Sequence, residues 1–213
     1  MPNVSLWTKV AIAIQSALGA SKTITAITKA TTGVVSSTAH GLANGAFVLL
    51  EVTGMTQVHK RVFRVANQAA NTFELEGEDT TNYDTFLTGT AKEITFGTVL
   101  ATATTVSASG GNYDYEDTTT IHDSIRSQIP LLAAASNFAF ENIWDVADAG
   151  LIALKAASEA KTERAVRITF SNGQKVLFNG FVGATLLPGG TAPGKVTTPV
   201  TLTTQSAPTV YAT

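Results

Sequence analysis

The side chains of this chain that could do chemistry are three histidines and one group of carboxylates. The consecutive residues His122, Asp123 and Ser124 are of the three types found in a Ser-His-Asp triad. A triad needs side chains that converge from separate elements, and neighbours in sequence do not converge in this way. His40 lies in a predicted turn, and none of the three histidines begins a His-Glu-x-x-His motif. We therefore expect no catalytic or metal-binding role for His40, His59 or His122.

The carboxylates form an acidic segment, predicted as a loop, that contains Asp114, Glu116 and Asp117. Carboxylate oxygens bind hard cations, but this segment lacks the regular ligand spacing of a calcium loop. Tyr113 and Tyr115 lie beside carboxylates rather than basic residues, which argues against stacking on single-stranded nucleic acid. We expect no metal at this segment.

Motifs that supply a reaction centre are also missing from the sequence. There is no Gly-x-Ser-x-Gly elbow and no phosphate-binding loop that ends in Gly-Lys-Ser or Gly-Lys-Thr. The chain has no cysteine, which excludes disulfides and cysteine-ligated metals. We expect a protein that is not an enzyme and that needs no cofactor.

The composition suggests a surface that other molecules cover. Charged residues make up 14% of the 213 residues, whereas a typical domain has about 25%. A weakly charged monomer is the alternative. The net charge of −2 and the lack of a basic stripe argue against a nucleic-acid binder. No signal peptide is evident and the apolar runs are too short to span a membrane, so we expect synthesis in the cytoplasm and a soluble chain.

The elements that would position these residues are mostly strands. Alternating apolar residues over 165–182, with Asn172 and Gly173 at the centre, predict a hairpin with a tight turn. Alternation also predicts strands over 4–18, 22–27, 94–106, 138–144 and 196–204. Pro199 inside the last of these marks an edge or a bend, and residues 207–213 are predicted to be an arm.

One helix is predicted, over residues 145–159. Val146, Leu151 and Leu154 recur at helical spacing, and either Asp145 or Asp148 could cap the helix. Gly150 weakens the helix signal by about 1 kcal/mol. Six aromatic side chains are predicted to belong to a core: Phe138, Phe140, Trp144, Phe170, Phe178 and Phe181.

Residues 29–92 have a different sequence pattern, in which short predicted strands alternate with turn signals. This pattern is typical of a compact β module. His59, Lys60 and Arg61 would oppose several carboxylates on a mixed-charge, solvated exterior. The fold class is thus mainly β, with one domain formed by residues 1–28 and 93–213 and a small all-β domain, residues 29–92, inserted into it.

Several stretches of the chain resemble a known family. They are residues 96–102 with 109–111, residues 117–123, and residues 170–182 followed by the Val/Thr strand to Pro208. In this order they resemble the major tail tube protein of long-tailed, siphovirus-type bacteriophages. Residues 39–45 and 71–77 resemble a small β module of other phage structural proteins.

The resemblance implies a β-sandwich or barrel-like tail tube fold with one flanking α-helix and no catalytic residue. Six subunits would form a ring, and stacked rings would form a tube in the virion tail through which viral DNA passes without specific binding. Further partners would be the tape measure, tail terminator and tail tip proteins. The inserted domain would lie on the tube exterior.

Two sets of residues are then candidates for roles in such a tube. Asp114, Glu116 and Asp117 would place negative charge at the bore or the ring junction, and a solvated outer loop is the alternative for them. Pro199, Pro208, Val210 and Tyr211 would belong to an arm that packs against the next ring. The alternative function is a phage surface decoration or adhesin module whose insert binds a host glycan.

Overall fold

The structure is a computed structural model, and it describes residues 6–212. This part of the chain is mainly β, as predicted, with one α-helix, α1 (Ala149–Glu159), and one 3₁₀ turn (Thr56–Val58). The strands are β1 (Ala11–Ile14), β2 (Ala17–Leu18), β3 (Lys22–Ile24), β4 (Ala26–Ile27), β5 (Val34–Ser36), β6 (Phe47–Thr53), β7 (Val62–Ala66), β8 (Thr72–Leu75), β9 (Thr88–Thr95), β10 (Thr98–Val99), β11 (Ala103–Ser109), β12 (Tyr113–Asp117), β13 (Gln128–Ala133), β14 (Asn137–Ile143), β15 (Glu163–Thr169), β16 (Lys175–Ala184), β17 (Thr197–Thr204) and β18 (Thr209–Tyr211).

One sheet, which we name the sandwich sheet, bends around its own core. Its strand order is β10-β1-β15-β16-β17-β14-β11, with β18 paired to β16. β10 and β11 lie at opposite ends of this order, yet residues 100–102 alone join them along the chain. One groove is lined by residues from both β1 and β11. The two ends of the sheet therefore approach each other, and its two halves face each other across the core.

The core of the sandwich sheet takes apolar side chains from both halves and from α1. They are Ile12, Ile14, Val166 and Ile168 from β1 and β15, Phe140, Val200 and Leu202 from β14 and β17, and Leu151, Leu154 and Ala157 from α1. The Asp148 carboxylate accepts a hydrogen bond from the Leu151 N–H at 2.8 Å and caps the helix. The helix thus begins at Ala149, and the second of the two predicted caps is the one used.

The second β unit is a closed barrel, with strand order β2-β9-β6-β7-β8-β5-β4 and β3 paired to β9. Thr25 alone separates β3, which pairs with β9, from β4, which pairs with β5. Residues 22–27 therefore close the sheet on itself, which removes the free strand edges that an open sheet would have. The Thr25 N–H donates to the Ser36 carbonyl oxygen at 2.9 Å at this corner. Fully buried side chains such as Phe63 and Phe73 fill the barrel.

Two of the predicted strands are each divided between the two units. The segment 4–18 contains β1 of the sandwich sheet and β2 of the barrel. The Gln15 N–H donates to the Ala165 carbonyl and the next N–H, of Ser16, donates to the Thr95 carbonyl, each at 2.9 Å. The pairing partner thus changes between adjacent residues. The segment 94–106 is likewise divided among β9, β10 and β11.

The strands β2, β3 and β4, over residues 17–27, pair with barrel strands. The barrel therefore contains strands from residues 17–95. The predicted domain boundaries at 28/29 and 92/93 remain a prediction, because the strand pairing does not mark either of them. The hairpin over 165–182 is present as β15 and β16, with Gly173 at φ +89° in the turn.

The aromatic core prediction is correct for Phe140 and Phe178, and correct in part for Phe138 and Phe170, which are partly buried against the core. It is wrong for the other two. Phe138 lies partly buried and stacks on Phe178 with ring centroids 4.0 Å apart. The side chains of Phe181 and Trp144 are 42% and 38% exposed. Phe181 lies on the side of β16 away from the core, and Trp144 lies just beyond the end of β14. None of the helices within residues 6–212 has the length and apolar character needed to cross a membrane.

Candidate functional site

One face of the sandwich sheet lies open to solvent and carries small, mostly polar side chains. We name this surface the open face: it is formed by β16, β17, β14 and β11 on the side away from the core. The register places its residues in rows across the strands, namely Phe181, Thr203, Asn137 and Ser109; Gly183, Thr201, Ala139 and Ser107; and Pro199, Glu141 and Thr105. Their neighbours Val200, Leu202 and Phe140 point into the core, as the alternation of a strand requires.

The open face has little charge. β11, β14 and β17 contain no lysine or arginine, and Glu141 is the one ionisable residue in the rows of the open face. Several of its hydroxyls are paired within the sheet: the Thr203 hydroxyl donates to Asn137 Oδ1 at 2.7 Å and the Thr201 hydroxyl donates to the Gly183 carbonyl at 3.4 Å. The surface therefore offers few fixed charges to a passing ligand.

Pro199 lies within β17, at a local gap in the sheet. β16 pairs with β17 as far as Ala184 and Val200, and pairing on that side resumes at a bridge between Gly189 and Thr197. Proline has no N–H to donate, and it lies where β17 has β14 as its partner but no bonded partner on the other side. The prediction was an edge or a bend; β17 is an inner strand of the sheet, and Pro199 lies at this local gap in its pairing with β16.

The acidic residues Asp114, Glu116 and Asp117 lie in β12, so the prediction of a loop there was wrong. β12 pairs with β13 in a separate two-stranded hairpin, which we name the acidic hairpin. The backbone pairing with residues 128–133 is what makes this segment extended. All three carboxylates are exposed. Hydrogen bonds from the Thr119 hydroxyl and N–H hold the pKa of Asp117 below its ordinary value, so it stays ionised at neutral pH.

The acidic hairpin also exposes large apolar side chains. Ile121 and Ile125 in its tip are 96% and 81% exposed, and Leu132 in β13 is 87% exposed. All residues of β12 and β13 are exposed, so neither face of the hairpin packs on a core within the described chain. An isolated two-stranded hairpin is marginally stable in water, and a cluster of exposed apolar side chains marks a contact surface. This element is suited to be covered by another molecule.

The C-terminal residues of the predicted arm are part of the fold. Tyr211 in β18 is 5% exposed, whereas the adjacent Val210 is 66% exposed and points outward. β18 pairs with β16, and Pro208 lies just before it, in a groove that Ala133 of β13 also lines. The structure thus brings Pro208, Val210 and Tyr211 together and leaves Pro199 in a different strand. Their predicted contact with a neighbouring ring stays a prediction.

Two of the three histidines, His40 and His59, have ring nitrogens that contact backbone groups. The His40 Nδ1 accepts from the Leu42 N–H at 3.0 Å and its Nε2 lies 3.2 Å from the Thr72 carbonyl oxygen. The His59 Nδ1 accepts from the Val52 N–H at 3.2 Å, and His122 is exposed in the hairpin tip. Within residues 6–212 no group of three or more His, Asp or Glu side chains is placed to hold a metal ion.

The prediction that the charged residues of the barrel lie on a solvated exterior is wrong for one ion pair. The Arg61 guanidinium binds the Glu78 carboxylate through two nitrogens, and each side chain is only 11% exposed. The Tyr83 hydroxyl donates to the same carboxylate at 2.5 Å. Charge alternation along the sequence could not reveal this burial, because the fold of the barrel covers the pair.

Sequence reasoning also missed the residues that join the two β units. The Arg167 guanidinium lies 5.3 Å from the ring centroid of Phe47 and 4.9 Å from that of Phe96, within the range of a cation–π contact. Burial lowers the pKa of Arg167. Arg167 alternates with Val166 and Ile168 in β15, and nothing local in the sequence indicates its aromatic partners.

A comparison with protein-family models gives one match: the model described as phage tail tube protein matches residues 53–213. The match covers most of the chain, including part of the barrel, the acidic hairpin and the open face. No curated protein matches the chain.

Proposed function

Because this chain belongs to the phage tail tube protein family, we propose that it forms stacked hexameric rings whose bore conducts viral DNA. Family membership makes it a structural subunit of the phage tail that assembles with itself and with other tail proteins. The hexamer, the siphovirus-type tail, assembly in the host cytoplasm and contacts with tape measure, terminator and tip proteins are parts of the proposal. The one observation that carries it is the open face.

The chemistry of the open face suits a wall along which DNA must slide. Duplex DNA carries one negative charge per about 1.7 Å, and each lysine or arginine contact adds affinity to it. A wall with basic residues, repeated from ring to ring, would hold the duplex. The open face presents threonine, serine and glycine, with Glu141 as its one acidic residue, and would repel DNA weakly rather than bind it.

The number of strands in the open face fits a bore of the right width. Its four strands from each of six subunits give twenty-four strands in a closed inner wall. At about 4.8 Å between strands and a tilt near 40°, the backbone diameter is roughly 48 Å. Side chains reduce this to a bore of roughly 40 Å, wider than a DNA duplex. β11 pairs only with β14 in the described subunit, so its other edge is free. β16, at the other end of the open face, pairs with β15 as far as Phe181, so a neighbouring β11 would pair with it beyond that residue.

The bend of the sandwich sheet supports an exterior position for the barrel. The barrel packs on β15 and β16 through Ala165 and Leu177, on the outer side of one half of the sandwich sheet. The open face is formed largely by the other half, and the core lies between the two halves. The barrel and the open face therefore lie over different parts of the outer side of the bent sheet. If the open face lines the bore, the barrel decorates the outside of the tube.

The acidic hairpin is the element that we propose to contact a neighbouring subunit, at the ring junction. It has apolar side chains on its surface and carboxylates in β12, and the subunit covers none of its residues. Burial of exposed apolar side chains contributes about 1.5–3 kcal/mol for each large residue. Repeated six times in every ring, such contacts would stabilise the stacking.

Electron microscopy of the concentrated protein, together with its mass in solution, tests this proposal. We expect annuli or cylinders from the native chain. The double variant I121S/I125S should remain a folded subunit with normal circular dichroism and lose cylinders, because both side chains are exposed in the monomer.

The matched control is Leu187→Ser, which changes a side chain that is 69% exposed outside the hairpin and should assemble normally. Cylinders from I121S/I125S would overturn the role of the hairpin. A native chain that never forms annuli or cylinders would overturn the tube itself, and a monomer that binds a glycan array would support the adhesin alternative.

A further inference from the structure

The C-terminal strand β18 lies between the sandwich sheet and the barrel. On one side, β18 pairs with Lys175, Val176 and Leu177 of β16. On the other side, the Tyr211 side chain reaches the barrel strand β7. Since β18 has only three residues, its pairing with one strand is a short and weak attachment.

The contact between Tyr211 and the barrel is specific and buried. The Arg64 N–H donates to the Tyr211 hydroxyl oxygen at 2.7 Å, across 147 positions in the sequence. The Arg64 guanidinium also lies 4.6 Å from the centroid of the Tyr211 ring, which is a cation–π geometry. Tyr211 is only 5% exposed, so it has little contact with water in this position.

Apolar packing continues around Tyr211 on both sides of the junction. One cluster of buried side chains joins Phe47, Leu49, Val62 and Ile94 of the barrel to Ala165, Leu177 and Tyr211. This cluster is separate from the cores of the sandwich sheet and the barrel. Without the barrel, Ala165, Leu177 and the Tyr211 ring would be exposed to water.

Polar contacts fix the same junction at its edge. The Lys60 ammonium lies 3.0 Å from Glu163 Oε2, which also accepts from the Asn179 side-chain amide at 2.9 Å. The Ser206 hydroxyl donates to the Lys60 carbonyl oxygen at 2.9 Å. The chain is thus held to the barrel at Ser206, before β18 begins, and again at Tyr211, where β18 ends.

We propose that the barrel is the docking surface for the C-terminal strand of its own chain. It holds residues 206–211 in place within the subunit and is a fixed part of the subunit rather than a separable module. Docking leaves Val210 facing outward beside Pro208 as a rigid surface. This role does not depend on rings or tubes, since every contact lies within one chain.

Amide hydrogen exchange of the unassembled full-length protein tests this role. In Tyr211→Ala, the peptide over residues 206–212 should exchange at least about tenfold faster than in the native chain, because opening of β18 no longer breaks a buried contact. Val210→Ala changes the adjacent, outward-facing side chain of the same strand and should leave the exchange rate within about twofold. Native protection of this peptide in Tyr211→Ala would overturn the proposal.

A variant of the barrel gives a second, independent test that leaves the C-terminal sequence intact. Arg64→Ala removes the cation over the Tyr211 ring and should also accelerate exchange in residues 206–212. Lys92→Ala, which removes a barrel cation paired with Glu51 at 2.8 Å and not with β18, is the matched control. If Arg64→Ala and Lys92→Ala leave this peptide equally protected, the barrel does not hold the strand. A native chain that protects residues 206–212 but forms no tubes would instead contradict only the proposed assembly.

Discussion

Tyr211 shows how one buried side chain links the stability of the subunit to pH. Desolvation by burial raises the pKa of its hydroxyl from 10.0 to about 12. A group whose pKa is higher in the folded state holds its proton more tightly there, so its stabilising contribution is complete below the unfolded pKa. That contribution is lost as the pH rises from about 10 through about 12.

We therefore expect the free energy of unfolding to fall by up to about 3 kcal/mol through Tyr211 over this interval, at about 1.4 kcal/mol per pKa unit. Tyr211→Phe has no proton to lose, so its stability should fall less steeply with pH. Urea unfolding at a series of pH values between 9 and 12 measures this slope.

Tyr113→Phe is the control for this measurement, because Tyr113 is 56% exposed and should keep the native slope. Equal slopes for Tyr211→Phe and the native chain would show that Tyr211 does not govern alkaline unfolding.

At the scale of elements, the position of α1 depends on a close approach to β10. A Cβ atom added at Gly150 would lie 2.8 Å from the Leu100 Cα and 2.9 Å from the Val99 carbonyl oxygen. Both are backbone atoms, which cannot move aside as a flexible side chain does. The glycine that weakens the helix signal in the sequence is thus the residue that allows the helix to pack.

This arrangement reverses the effect expected from helix propensity. Propensity alone predicts that Gly150→Ala stabilises the protein by about 1 kcal/mol. We expect destabilisation by about 1–3 kcal/mol instead, because α1 must move away from β10. Chemical denaturation monitored by circular dichroism measures whether the substitution lowers or raises the free energy of unfolding. An increase in stability would mean that the contact between α1 and β10 relaxes freely.

The strands show where local patterns were sufficient and where they were not. The alternation of Val166 and Ile168 with polar residues, together with the turn at Gly173, predicted β15 and β16. Both strands are present. The same alternation predicted one strand over residues 4–18, but the chain passes from the sandwich sheet to the barrel at Gln15 and Ser16. An extended backbone continues through this change of partners, so periodicity does not reveal it.

At the scale of the whole molecule, the bend of the sandwich sheet gives the subunit two outer sides with different properties. One side is covered by the barrel, through the cluster around Leu177 and Tyr211. The other is the open face, with Glu141 as its one acidic residue. This arrangement is the basis of the proposal that the open face forms the channel wall and the barrel lies on the outside of the tube.

The charge of the proposed wall can be inverted at Glu141. Glu141→Lys would place six cations in every ring, and we expect tubes to form while DNA ejection slows by at least about tenfold at low salt. Added salt should restore the rate, because it weakens contacts between lysine and phosphate. Ejection kinetics of phage reconstituted with the variant measure this.

Glu141→Gln, which removes the charge without adding a cation, is the control and should eject DNA at close to the native rate. If the Glu141→Lys tubes conduct DNA at low salt as fast as native tubes, the open face does not line the bore.

The sequence by itself determined the mainly β class, the single helix, the tight turn at Asn172–Gly173, and the scarcity of basic residues in the strands of the open face. These features depend on residue type and on spacing along a few neighbouring residues. The tertiary structure alone decided the closure of the barrel by residues 22–27, the burial of Arg61 with Glu78, and the docking of Tyr211 against Arg64. Each of these joins residues that are distant in the chain or buries side chains whose types predict exposure, and local periodicity carries no information about such partners.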